Sequence, residues 1–213
     1  MRALLLALTL LATPAAAQDL SIGRLFGGGF SSVRLCTATL VGPATLLTAA
    51  HCVTLPDGRA RSPMGLGFVA GWDGKRHEAA ASVEEIVLHP DAVQEGAVDV
   101  AHDLAILRLN RALAPAPVAV GSAAPQGPFT MVGYPREAPD RQTTREECSG
   151  EARRGRWYLG CAVSKGMSGG PVFFGTGTGR RIVGVISAIA GGDAVVAPVD
   201  PWVIREAARP YTP

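Results

Sequence analysis

The sequence predicts an all-β protein built as two packed barrels, and three observations predict it. Helical periodicity is scarce, whereas short apolar or alternating runs bounded by turn signals recur along the chain. The composition suits many turns, with 26 Gly and 16 Pro in 213 residues. A connector over residues 113–126, containing Pro115, Pro117 and Pro125, separates two sets of runs and suits an extended linker better than a central strand. Strands on both sides of a linker point to two barrels, the first over about residues 30–112 and the second over about 127–200. With 47% of residues hydrophobic, the chain can form one domain or two small sub-domains sharing an interface.

Taken in order, residues 1–17 read as a secretory leader: Arg2 gives a positive start, Leu4 to Leu11 an apolar core, and Ala15-Ala16-Ala17 a small-residue cleavage site. The apolar stretch is shorter than the roughly 20 residues a membrane span needs. The mature chain is therefore expected to begin near Gln18 or Asp19, to be secreted or periplasmic, and to have no membrane partner. A net charge of +2 without a basic stripe speaks against nucleic acid as a partner.

Val33 to Val41 reads as a strand, the Gly42-Pro43 pair as a turn, and Thr45 to Thr48 as a second strand. Gly65 to Ala70, Ser82 to Leu88 and Leu104 to Leu109 follow, with Arg108 the only charge inside the last. Beyond the linker come Phe129 to Val132, Arg156 to Val163, Pro171 to Phe174, Arg181 to Ile189 and Ala194 to Val199. Between Arg136 and Arg156, charges of both signs indicate a solvated surface around a hairpin. A short closing helix is expected over residues 200–209, with Asp200 as cap and Pro201 at the first helical position.

Four cysteines in an exported chain suggest two disulfides, and three pairings are possible. Cys36 with Cys52 and Cys148 with Cys161 are each local, and closing a loop of roughly 15 residues contributes about 3 kcal/mol. The spacings do not resemble a clustered zinc site, so neither a metal nor a cofactor is expected.

Three stretches carry chemistry. In Gly166-Met167-Ser168-Gly169-Gly170-Pro171, glycines give the backbone unusual freedom around a serine. If Ser168 is a nucleophile, the N–H groups of Gly166 and Ser168 can converge on the oxyanion formed when its Oγ attacks a carbonyl. Thr48-Ala49-Ala50-His51-Cys52 ends an apolar strand with a histidine beside a cysteine, and a held imidazole suits a general base near neutral pH. His77 and His89 lack such a setting and read as structural. Asp103 stands at the mouth of the apolar Leu104 to Leu109 strand, where a carboxylate is costly to bury without a partner such as a histidine N–H.

These three motifs, in this order, resemble the trypsin/chymotrypsin superfamily of serine proteases over about Val33 to Trp202. The resemblance implies two six-stranded antiparallel barrels with a short C-terminal helix, and the Cys36–Cys52 bond beside the histidine. It implies that Ser168 attacks, that His51 carries the proton, that Asp103 fixes the imidazole, and that the Gly166 and Ser168 amides bind the oxyanion. The expected activity is hydrolysis of protein or peptide substrates by a secreted endopeptidase. A catalytically silent homologue acting by binding, or an esterase with the same machinery, are the alternatives.

The chain also departs from the family pattern. Met167 stands where animal trypsins carry the aspartate that pairs with a newly cut N-terminus, and Arg24 to Gly28 is a poor match to an activation junction. Phe129 to Pro135 resembles the bacterial glutamyl-endopeptidase branch, yet Val163 replaces its threonine and Ile186 its histidine. No acidic residue lies between Cys161 and Ser168, which removes support for trypsin-like specificity. Ala162, Val163, Ser187, Ala188 and Ile189 are the expected lining of a specificity pocket, one that Ile189 narrows and that prefers uncharged side chains.

Overall fold

A computed structural model describes residues 18–27 and 34–213. The expected leader, and the start of the strand expected from Val33, lie outside the described residues. The first unit contains β1 (Ile22–Gly27), β2 (Arg34–Gly42), β3 (Thr45–Thr48), β4 (Leu66–Ala70) and β5 (Ala79–Leu88). A two-strand hairpin, β6 (Val93–Gln94) and β7 (Ala97–Val98), precedes β8 (Ala105–Leu109). Six of these close into an antiparallel barrel in the order β1-β2-β3-β8-β5-β4, with β1 pairing to both β2 and β4. Strands β3 and β8 are buried along their whole lengths, the polar side chains of Thr45, Thr48 and Arg108 being hydrogen-bonded there. Strand β1 was not evident from sequence because two glycines and an arginine interrupt it. Gly23 has a packing reason, since a Cβ there would lie 2.5 Å from the Phe68 ring.

The second unit is a seven-stranded sheet made of β9 (Phe129–Gly133), β10 (Thr143–Cys148), β11 (Gly150–Arg153), β12 (Arg156–Ala162), β13 (Pro171–Phe174), β14 (Arg181–Ala190) and β15 (Asp193–Pro198). Its order is β10-β9-β13-β14-β15-β12-β11. Here the architecture differs from a second closed six-stranded barrel: the sheet curls strongly, as a half-barrel. The Cys148–Cys161 disulfide ties edge strand β10 to β12, next to the opposite edge, and Arg145 Nε donates to the Ala162 carbonyl at 2.9 Å. A covalent bond thus joins the two sides where no ladder runs. The β14–β15 hairpin turns on Gly191 and Gly192, both at positive φ, as a tight two-residue turn demands.

One apolar core runs from the barrel across the interface to Val132, Phe173, Val185 and Ala197, and a smaller one fills the curled sheet. The linker is sewn to both units. Leu113 and Val118 donate to the Pro43 and Leu40 carbonyls, then Gly121 donates to Ile182 and Ile182 to Ala119. Helix α1 (Pro201–Ala208) begins as expected, with the Asp200 carboxylate accepting the Val203 N–H at 3.0 Å. Arg108, 3% exposed, holds this helix to the barrel through Glu206 at 3.2 Å and bonds Thr45 Oγ1 at 2.9 Å.

Candidate active site

His51 lies in the single turn Ala50–Cys52 that follows β3. Ala49 and Ala50 are fully buried, and Cys52 is bonded to Cys36 in β2, so this turn is anchored on both sides of the imidazole. Asp103 follows another short turn, Val100–His102, in which the Asp99 carboxylate accepts the Ala101 N–H. Its carboxylate, 1% exposed, accepts three hydrogen bonds. They come from the His51 backbone N–H at 2.8 Å, His51 Nδ1 at 2.6 Å and the Ser187 hydroxyl at 2.5 Å. Three donors offset much of the cost of burying a charge. They also fix the tautomer, because an imidazole donating from Nδ1 carries its lone pair on Nε2 when neutral. His102 turns the other way, bonding Asp99 at 2.6 Å and stacking on His89.

Ser168 sits between β12 and β13, and the glycines around it are dictated by space. Gly166 has φ +96°, and a Cβ there would meet the Tyr134 carbonyl at 2.5 Å. Gly169 has φ +82°, and its Cβ would lie 2.1 Å from the Thr37 carbonyl. The turn is tied to the first unit by Thr37, which is fully buried. Thr37 N–H donates to the Ser168 carbonyl at 2.8 Å and its hydroxyl to the Gly166 carbonyl at 2.9 Å. That same hydroxyl accepts the Tyr134 N–H at 2.9 Å. Among the described residues, the N–H groups of Gly166 and Ser168 have no protein partner. Met167 is fully buried in the core of the curled sheet.

His51 and Ser168 line one cavity of about 390 Å³, together with Cys36, Cys52, Arg136, Lys165 and Gly166. The five residues expected to line a specificity pocket lie elsewhere. Ala162 is exposed at the end of β12, Val163 is buried in the second core, Ala188 is half-buried, and Ile189 is 47% exposed. Ser187 is buried and engaged by Asp103. The Cys36, His51 and Cys52 donor atoms cluster within 4.8 Å, but both sulfurs are spent in a disulfide and offer a metal no thiolate.

Residues 36–185 match the family model described as "Trypsin-like peptidase domain". The chain belongs to this family. Two solved structures share the fold of this trypsin-like domain. The thermostable serine protease AL20 from an extremophilic microorganism has a TM-score of 0.69 at 23% identity, covering 85% of this chain and 92% of its own. Protease Anisep from Arthrobacter nicotinovorans has a TM-score of 0.68 at 16% identity, covering 85% and 91%. No curated protein matches the chain.

Sequence alone did not reveal what Thr37, Tyr134 and Ser187 do in this trypsin-like domain. Their partners are far along the chain: Thr37 and Gly166 are 129 residues apart, Ser187 and Asp103 84. Arg136 read only as part of a charged surface, and nothing in the sequence singled out Lys165.

Proposed function

We propose that the chain is a secreted or periplasmic serine endopeptidase in which Ser168, His51 and Asp103 act together. Ser168 Oγ attacks the scissile carbonyl carbon while His51 Nε2 takes its proton. The new oxyanion is held by the N–H groups of Gly166 and Ser168, a contribution of about 3 kcal/mol per donor to the transition state. Collapse breaks the C–N bond, and the departing amine takes the proton from the imidazolium. Water then repeats the sequence on the acyl-enzyme and releases the acid. Asp103 stays ionised throughout, fixing the ring and stabilising its positive charge. Of the expected lining residues, Ala162, Ala188 and Ile189 are open to a substrate's acyl side and favour uncharged side chains, while Val163 and Ser187 back that surface from within.

One observation carries this reading. A buried carboxylate grips Nδ1 of a partly exposed imidazole, and that imidazole shares a cavity with a serine in a glycine-rich turn. The disulfides support export, since such bonds persist in oxidising compartments. Among the described residues, no helix is long and apolar enough to cross a membrane. Labelling with a fluorophosphonate, followed by peptide mapping, tests the reading. The label is expected on Ser168, absent in Ser168→Ala, and peptide hydrolysis should fall by about 10⁶-fold in that variant. A folded wild type that takes no label would instead support a binding role. Cleavage after Lys or Arg at least tenfold faster than after apolar residues would refute the uncharged preference.

A further inference from the structure

We infer that the preferred substrates carry an acidic side chain at one of the first two positions after the cleaved bond, bound by Arg136 and Lys165. This rests on the peptidase reading above and extends it to substrate class. The cavity that holds His51 and Ser168 is walled by the Cys36–Cys52 disulfide on the first unit and by Arg136 and Lys165 on the second. None of the acyl-side candidates lines it. A peptide that lays its acyl half toward β12 and β14 therefore runs its amine half past Ser168 into this cavity.

The cavity's charge is one-sided. Arg136 N–H donates to the Lys165 carbonyl at 2.7 Å, and both cationic residues line this one cavity. Both are exposed, and neither has an ion-pair partner among the described residues. No carboxylate lines the cavity. The neighbouring Glu137 is exposed and forms no ion pair with either cation among the described residues. Asp140 accepts from Trp72 Nε1 at 2.8 Å and pairs with Arg24 at 3.5 Å. Two adjacent cations without a counterion repel each other, and an incoming carboxylate relieves that repulsion. When the Ser168 hydroxyl proton passes to His51, the imidazolium adds a third positive charge. An acidic side chain in the cavity is then bound more tightly in the transition state than before it, which raises kcat as well as lowering KM.

Digestion of a mixed peptide library, with cut sites mapped by mass spectrometry, tests this without knowledge of the acyl-side preference. The readout is the ratio of Asp and Glu to Asn and Gln at the two positions after each cut, so general losses of activity cancel within each enzyme. Wild type is expected to show roughly fivefold enrichment, the sum of two exposed charge pairs. The enrichment should shrink in 1 M salt, where the screening length falls to about 3 Å. It should vanish in Arg136→Gln/Lys165→Gln and return in Arg136→Lys/Lys165→Arg, with fluorophosphonate labelling of Ser168 verifying that each variant is folded. Normal labelling with no enrichment in wild type, or enrichment that survives in the double Gln variant, overturns the inference alone. Absence of labelling in a folded wild type overturns the peptidase reading and this inference with it.

Discussion

Thr37 takes part in four hydrogen bonds, three of which reach the second unit. Besides the contacts to Ser168, Gly166 and Tyr134, its carbonyl accepts the Thr48 hydroxyl at 2.8 Å. Thr37→Val keeps the shape and removes the hydroxyl, leaving the Gly166 carbonyl and Tyr134 N–H short of a partner at about 1–3 kcal/mol each. Steady-state kinetics should show kcat lowered by at least about tenfold with KM little changed, because the displaced turn carries the proposed oxyanion donors. Thr37→Ser should restore most of the rate; a Val variant with unchanged kcat would show that the backbone alone holds the turn. His51, Asp103 and Ser168 were singled out because their three motifs, taken in order, resemble a known family, and the structure brings His51 to Asp103 and into one cavity with Ser168. Gly169 must be glycine where its neighbour is the Thr37 carbonyl. Thr37 belongs to no such motif. Its sequence neighbourhood says only "strand", and its use is decided by a loop more than a hundred residues away.

Helix α1 shows how one residue can serve two elements. Asp200 caps the helix and also accepts from His89 Nε2 at 2.9 Å. His89 Nδ1 accepts the Asp91 N–H at 3.0 Å, so the proton on Nε2 faces Asp200. Burial works to raise the Asp200 pKa, but the Val203 N–H and His89 more than offset it and hold the carboxyl below its ordinary 3.8. A folded-state pKa below the unfolded one stabilises fully above about pH 4, and that stabilisation is lost as pH falls through the folded value. Urea unfolding at pH 6 and pH 3 should therefore lose less stability in Asp200→Asn, which keeps a capping oxygen, than in wild type. Equal losses would remove Asp200 from the account of acid sensitivity. The helix itself was legible from Asp200-Pro201, whereas its bond to His89 was not. Strands β10 and β11 were obscure for another reason: most of their residues are exposed and half are charged, so no apolar alternation marks them.

Across the whole molecule, the two units are built alike in strand type but closed differently. The first closes by hydrogen bonding all round, while the second relies on Cys148–Cys161 to draw its sides together. The all-β class was legible in the turn chemistry; the order of strands in the curled sheet was not, because it depends on pairings between segments distant in sequence. Replacing both cysteines by alanine should cost about 3 kcal/mol by loop closure. Limited proteolysis should then cut between residues 140 and 160 while the closed barrel resists; unchanged resistance there would show that the sheet holds its curl unaided. A further tie spans the units at the start of the described chain. Asp19 exchanges two hydrogen bonds with the Gln142 side chain, at 2.9 and 2.8 Å, and pairs with Arg180 at 2.5 Å. Together with the linker stitches and Thr37, this rivets the halves at three separate points. The groove the halves frame is accordingly pinned from three sides, which leaves discrimination to the few side chains on its walls.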